Sequence, residues 1–535
     1  MKINYHQFLA AGIISFSLIS CAKPQETEIL SLTGVNEKSG AETQALTGTI
    51  KVMSYNIHQG IGPAPAKIYN LKKTIQVINE SGADVIGLNE VLNKWTTVSN
   101  NENQPDSIKK YCTAYPYRVY QACNTQADGG TFGNMILSKY PIVSSYSEIY
   151  TDKNPEEGYP YKGFLEAKIN KGGNTFHFYV THLILPSYAT LQTGQINQLI
   201  KRSRKIGGPK IVCGDLNFLP NSAQHATIAA EFADPLGTSL TPATFSTNGV
   251  KNDRLDYILG QKVTFTNVAP KNDALTLIAS DHFPLLATAT LDFRTFKFMH
   301  YNMNHGENMS GVYNLQAIAD VIKNSKADVV ALGQVDRYFS SRSNYDDQIR
   351  WLGETLGMYY RYHTVLSYLP NIHSEGYTRK FGHGFLSKFP FDETQEARYI
   401  FTEDSGDGNK QGLFRTRINV NGNWVNFYVT TFGSGSTDRV SQATEAKNWI
   451  NADNVTWKVV GGCFDDTRTS ASMAIMYSFL NDAFAGLTAY NFPSNTPTKY
   501  VNYILTKNTA STNSPTVINS QASRSRPLVC NVELN

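Results

Sequence analysis

The segment IKVMSYNIHQG (Ile50 to Gly60) returns as FKFMHYNMNHG (Phe296 to Gly306), and five further segments return after it in the same order. GADVIGLNEV (Gly82 to Val91) becomes KADVVALGQVD (Lys326 to Asp336), and TFGNMILSKYPI (Thr131 to Ile142) becomes KFGHGFLSKFPF (Lys380 to Phe391). FHFYVTHL, RLDYILG and SDHFPLL return as VNFYVTTF, YVNYILT and SRSRPLV. The spacing from Asn56 to Asn302 is about 246 residues. Solenoid units run to only about 20–50 residues, so this period means a duplicated domain. A chain of 535 residues also exceeds what one hydrophobic core usually organises.

Each repeated unit mixes strands with helices. IKVMSYN, ADVIGLNE, FHFYVTH, KIVCGDLN and RLDYILG are short apolar or alternating runs, the pattern of strands. Leu71, Ile75 and Ile78 fall at helical spacing with Gly82 as a stop, and Leu315, Ile318 and Ile322 repeat that helix. The expected architecture is α+β, sheets with outer helices. No linker separates the copies, since TATLDF runs straight into RTFKFMHYN. The predicted units are residues 49–293 and 294–535.

The strands of the first copy end in residues that apolar packing does not need: Asn56, Glu90, His182, Asp215 with Asn217, Asp256, and Asp281 with His282. Singly, each has an ordinary explanation. Asp215 and Asn217 form an Asx-turn, Asp256 pairs with Arg254, or His182 is a satisfied structural histidine. Together, at corresponding ends of several strands, they mark where sheet proteins assemble active sites.

The motifs SYNIHQG, GLNEV, THL, GDLN, DYI and SDHFPL resemble, in order, those of the endonuclease/exonuclease/phosphatase (DNase I-like) superfamily. The resemblance covers Ile50 to Phe293. It implies a four-layered α/β/β/α sandwich in each copy, and hydrolysis of a phosphoester by in-line attack of water assisted by Mg²⁺, with Mn²⁺ or Ca²⁺ as alternatives. Asn56 and Glu90 would hold the metal, with Asp281 joining through water; Mg²⁺ takes one or two carboxylates plus waters and phosphate. His282 with Asp256, or else Asp215, would activate the attacking water. Asn217 would hold water or a phosphate oxygen, and His182 would donate to the phosphate. Asn134 is expected to be structural. The second copy keeps Asn302 but replaces Glu90 by Gln334, His182 by Thr431, Asp215 by Cys463, Asn217 by Asp465, Asp256 by Asn502, and Asp281 with His282 by Arg524 with Ser525. That copy is expected to be an inactive, pseudo-enzyme domain. Its Asp336, Asp465 and Asp466 are left as weak cation ligands, and Arg524 and Arg526 either hold an anion or pair with Asp465 or Asp466.

The substrates implied are nucleic acid, which makes the chain a secreted or surface nuclease, or a phospholipid or inositol phosphate. A non-catalytic binding or adhesion lipoprotein is the reading from another class. A formal charge of +4, from 48 basic and 44 acidic residues, argues against a broad nucleic-acid footprint. FLAAGIISFSLIS is an apolar run suited to a signal h-region and too short to span a bilayer. It ends in LISC (Leu18 to Cys21), which resembles the lipobox of bacterial lipoproteins and implies cleavage before Cys21 and lipidation of that residue. Residues 1–21 are thus expected to be a signal peptide and 22–48 a flexible tether. The protein would sit in a bacterial cell envelope at the outer membrane, touching the membrane through its lipid anchor alone. Export makes a Cys112–Cys123 disulfide an expectation; Cys213, Cys463 and Cys530 read as buried hydrophobes.

Overall fold

The computed structural model describes residues 47–125, 129–152, 161–247, 250–402 and 410–535. The predicted signal peptide, the lipidation site Cys21 and nearly all of the tether lie outside the described residues. The first strand opens at Thr47, inside the stretch expected to be tether, because Thr47 and Gly48 pair with Asp292 and Leu291.

Two sheets stack in the first domain. One runs Val263–Pro270, Leu285–Asp292, Thr47–Asn56, Val85–Asn93, Thr131–Ser138, Tyr117–Thr125 from edge to edge. The other runs Asp256–Gln261, Lys210–Asp215, Asn174–His182, Gly163–Lys171, Ile142–Ile149. Three apolar layers hold them. Val52, Val85, Phe178, Val180, Ile211 and Ile258 fill the space between the sheets. Leu71, Ile75 and Ile78 of the Leu71–Glu80 helix close the outer face of the first sheet against Met53, Tyr55 and Ile86. Ile196 and Leu199 of the Ala189–Ser203 helix close the outer face of the second against Tyr179 and Val212. Strand residues alternate between faces, so each buried strand must be apolar on both sides, as these runs are. The result is helix, sheet, sheet, helix.

The second domain repeats the plan with two six-stranded sheets. The copies match down to individual bonds. Ser280 Oγ donates to Asn56 O at 2.9 Å, and Ser523 Oγ donates to Asn302 O at 2.8 Å. Gln104 Nε2 donates to Gln59 O at 2.7 Å, and Gln348 Nε2 to His305 O at 2.6 Å. Only Phe293 and Arg294 separate the Leu285–Asp292 and Thr295–Asn302 strands that join the domains. Across the junction Lys262 Nζ reaches Asp328 at 2.7 Å and Lys326 Nζ reaches Glu231 at 3.2 Å.

The expected Cys112–Cys123 disulfide is not formed; both thiols are free and buried. Cys112 closes the Gln104–Tyr111 helix and packs in the outer apolar layer. Cys123 sits on the Tyr117–Thr125 strand, where it accepts from Asn134 Nδ2 at 3.7 Å. Closeness in sequence did not bring the two sulfurs together, because a helix end and a strand carry them into different layers. Cys213, Cys463 and Cys530 are buried, as predicted.

Candidate active site

The two sheets deliver their polar residues to one end of the sandwich. In the parallel pairing of Asn174–His182 with Lys210–Asp215, His182 lies opposite Asp215; on the other side Asp215 lies opposite Asp256. In the facing sheet Asn56 pairs with Asn89, and the next residue, Glu90, falls in an irregularity of the ladder at φ 60. That bulge turns the Glu90 carboxylate out of the strand alternation and toward Asn56. Gly214 lets the strands approach: at φ 142, a Cβ there would lie 1.8 Å from Thr181 O.

Asn56 is the hub. Its Nδ2 donates to Glu90 Oε1 at 3.1 Å and to Asp215 Oδ2 at 3.0 Å, and lies 3.5 Å from His282 Nε2. Its Oδ1 accepts from the His58 N–H at 3.0 Å. As placed, Asn56 steers the Glu90 and Asp215 carboxylates with its amide NH₂. His282 Nδ1 meets Asp256 Oδ2 at 2.8 Å, and its Nε2 lies 3.7 Å from Asp215 Oδ2. His182 Nε2 lies 3.5 Å from Asp215 and 4.0 Å from Glu90. Asp281 Oδ1 lies 3.3 Å from His58 Nδ1 with no hydrogen bond. Seven of the eight predicted site residues, all but Asn217, thus face one cluster.

Asn217 stands apart. Its Nδ2 donates to Leu183 O at 3.1 Å and its N–H to Asp215 Oδ1 at 3.0 Å. At φ 51 it completes an Asx-turn that aims Asp215, so it braces the site. Asp256 pairs with His282 and not with Arg254, which bonds Asp234. Asn134 is structural, as expected, accepting from Asn89 at 2.9 Å and donating to Gly163 O at 3.0 Å.

Lys162 is the residue that sequence reasoning missed. Its Nζ lies 3.1 Å from the His182 ring nitrogens. The aligned segments YKGF and KQGL put Gln411 in its place in the second copy, so the internal comparison already held the signal. His58 and Gln59 were missed too; Gln59 Nε2 donates to Glu90 Oε2 at 3.1 Å.

The electrostatics separate the groups. Burial raises Glu90, but His182, Lys162 and His58 outweigh it and hold the carboxyl at about 2. Burial raises Asp215 to about 7, with Asp256 adding to the rise. Burial lowers His282, yet the Asp256 and Asp215 carboxylates prevail and carry it to about 10. Burial, helped by Lys162, drives His182 well below the usual histidine range. Near neutrality the cluster therefore holds an anionic Glu90, a neutral His182 and a protonated His282 beside an Asp215 raised toward neutrality.

The donor set fits a hard divalent cation. Glu90 is a permanent anion at the cleft edge, and Asp281 Oδ1 is a buried oxygen without a hydrogen bond. Among the described residues no three His, Cys, Asp or Glu side chains converge as a closed metal cage.

The second domain holds the same frame without the charges. Gln334 keeps the strained φ of Glu90 at 57, and Asp465 keeps that of Asn217 at 48. Asp336 is bound by Arg342 at 2.8 and 2.9 Å, and Asp466 by Arg439 at 3.0 Å. Arg524 pairs with Glu307 at 3.1 Å, and Arg526 Nε donates to Ser494 O at 2.8 Å. Neither arginine pairs with Asp465 or Asp466, contrary to one of the two sequence expectations.

Residues 53–282 and 299–525 both match the model of the Endonuclease/Exonuclease/phosphatase family. Over 154 residues the chain is 27% identical to sphingomyelinase C 1 of Leptospira interrogans, covering 24% of this chain and 25% of that protein. The chain thus spans about a quarter of the length of this curated relative. Among solved structures it is similar to an endonuclease/exonuclease/phosphatase from Beutenbergia cavernae (20% identity, 45% of this chain, 72% of that chain, TM-score 0.40). It is also similar to sphingomyelinase C from Streptomyces griseocarneus (19% identity, 45% of this chain, 99% of that chain, TM-score 0.34). Two matches in tandem span most of the sequence, and the chain belongs to the endonuclease/exonuclease/phosphatase family.

Proposed function

We propose that this protein is a divalent-metal-dependent phosphodiesterase whose first domain carries the reaction and whose second domain is catalytically silent. The convergence of Glu90, Asp215, His182 and His282 about Asn56 carries this reading. Glu90 and Asp281 would hold the cation, Mg²⁺ in the first instance. A bound cation polarises a phosphoryl oxygen and offsets developing charge. The chain's own groups do the rest. Asp215 takes the proton of the attacking water beside the His282 imidazolium, which Asp256 holds in place through Nδ1. His182 and Lys162 present donors to the phosphate oxygens, where charge builds in the transition state.

The substrate expected from the sequence is nucleic acid. A phospholipid phosphodiester is the second reading, favoured by the sphingomyelinase name of the Leptospira relative and by the near-even charge. A hydrolysis panel on the chain without its first 21 residues separates them: plasmid DNA, single-stranded DNA, RNA, sphingomyelin, inositol phosphates and a chromogenic phosphodiester, each with Mg²⁺ and with chelator. Chelator-sensitive DNA nicking supports the nuclease. Turnover confined to sphingomyelin supports the lipid reading. Silence on every substrate overturns the enzyme and leaves a binding protein.

Anchoring at the cell envelope through a lipidated Cys21 belongs to the same proposal, on the strength of the LISC motif. Metabolic labelling with a tagged fatty acid is expected to mark the parent and not Cys21→Ala. A parent that takes up no label would contradict the anchor.

A further inference from the structure

The second domain lost the chemistry and kept the cavity. A cavity of about 450 Å³ opens at the end of its sandwich that corresponds to the first domain's site. Asn302, Gln334, Thr431 and Gln411 line it, where the first domain has Asn56, Glu90, His182 and Lys162. At these four positions substitution removed an anion, a histidine and a cation and left amides and a hydroxyl, while the Asp465 carboxylate stands on the wall in place of Asn217. The arginines on the wall are neutralised from within the protein: Arg342 by Asp336 and Arg524 by Glu307.

The aromatic wall was retained. Phe339, Phe381 and Phe492 line the cavity, and they occupy the sequence positions of Trp95, Phe132 and Phe245. The pairs even stand alike: Trp95 and Phe132 have ring centroids 6.4 Å apart, and Phe339 and Phe381 5.8 Å apart. In the first domain Phe132 and Phe245 stack near His182 and His282. In the second they have no catalytic histidine to support, yet the rings remain.

Thr431 supplies the sharpest sign of a ligand. It is 5% exposed and lines the cavity, and its Oγ1 is buried without a hydrogen-bond partner. A buried hydroxyl left unmatched costs about 1–3 kcal/mol, and a ligand oxygen in the cavity would satisfy it once the Thr431 side chain turns outward. A metal has the single Asp465 carboxylate and no anionic ligand at the Gln334 position, and an anion meets that carboxylate and no unneutralised arginine on the wall. Amides, a hydroxyl and flat apolar rings suit hydroxyl groups on a ring with apolar C–H faces. A volume of this order lies within the range of about 300–1,000 Å³ typical of small-molecule sites.

We infer that the second domain binds an uncharged polyhydroxylated ring, a sugar or cyclitol, between Phe339, Phe381 and Phe492, with Asn302, Gln334 and Thr431 bonding its hydroxyls. This is independent of whether the first domain hydrolyses anything. The ring is free or is carried on a larger glycan, and the test covers both sources. Saturation-transfer NMR and calorimetry on the chain without its first 21 residues would use myo-inositol, methyl glycosides of the common hexoses and N-acetylhexosamines, neutral disaccharides and sugar phosphates. A neutral-glycan array forms the second arm. The expected result is binding of a neutral ring at millimolar Kd or tighter in either arm. Thr431→Val should weaken it about tenfold, the loss of one hydrogen bond. That variant is nearly isosteric, and its melting temperature confirms that it folds; Phe381→Ala should abolish the binding. Three results would each overturn the inference: no neutral ligand bound in either arm, binding confined to sugar phosphates, or binding unchanged in both variants.

Discussion

His282 concentrates the first domain's chemistry in one side chain, since it meets Asp256 through Nδ1 and Asp215 through Nε2. His282→Asn is therefore expected to lower kcat by about 10²–10⁴ and to lower the melting temperature as well, because the buried Asp256 loses its counter-charge. Steady-state kinetics beside a thermal melt checks both halves. Two buried histidines of the second domain give the opposite kind of prediction. Burial holds His300 at about 4, and burial with His300 and His363 nearby holds His383 at about 3. Both lie below the unfolded value of about 6.5, so their contribution to stability is complete above that pH and is lost as pH falls toward 4 and 3. The loss should reach several kcal/mol. The first domain has Ser54 and Asn134 at these positions, so the double variant His300→Ser, His383→Asn should flatten the acid limb of a pH–stability curve. At this scale the strand-end residues were legible because polar groups closing apolar runs stand out in a sequence. Lys162 was not, because it sits in the approach to a strand and only the fold brings it to His182. Asn217 was visible as a residue but not as a brace, because its amide finds Leu183 O only after the turn forms.

The strand ends set the geometry of the site. Gly214 precedes Asp215 at φ 142 with Thr181 O where a Cβ would go. Its counterpart Gly462 shows no left-handed φ, and its Cβ would meet side-chain atoms of Phe464 and Thr430 at 2.8 Å. Gly214→Ala should therefore destabilise by more than Gly462→Ala and should also lower activity; denaturant melts of the two variants make the comparison. Strands and helices were legible from periodicity, since Leu71, Ile75 and Ile78 do face the sheet. The cysteine pairing was misread because sequence distance says nothing about the direction in which a helix end and a strand point their side chains. The bulge at Glu90 was also invisible, since a ladder irregularity depends on its partner strand.

The duplicated molecule was the most legible level, because six segments repeating in order leave one architecture. The seam between the copies was not, because Lys326 and Asp328, though inside a repeated segment, find Glu231 and Lys262 only in the fold. Asp328 is buried there between Lys262 at 2.7 Å and Lys388 at 3.2 Å. Asp328→Asn leaves both cations without their counter-charge, which should cost about 3–5 kcal/mol. Calorimetry should then resolve two transitions where the parent shows closer coupling of the domains. Division of labour between the copies is the central claim, and Glu90→Ala tests it most directly. Turnover of a chromogenic phosphodiester with Mg²⁺ should fall to the chelated background in that variant, which a thermal melt should show to be folded with a midpoint below the parent's, because Lys162 loses a counter-charge. Turnover that survives in the folded variant, and is still abolished by chelator, would place the reaction elsewhere in the chain and contradict the account.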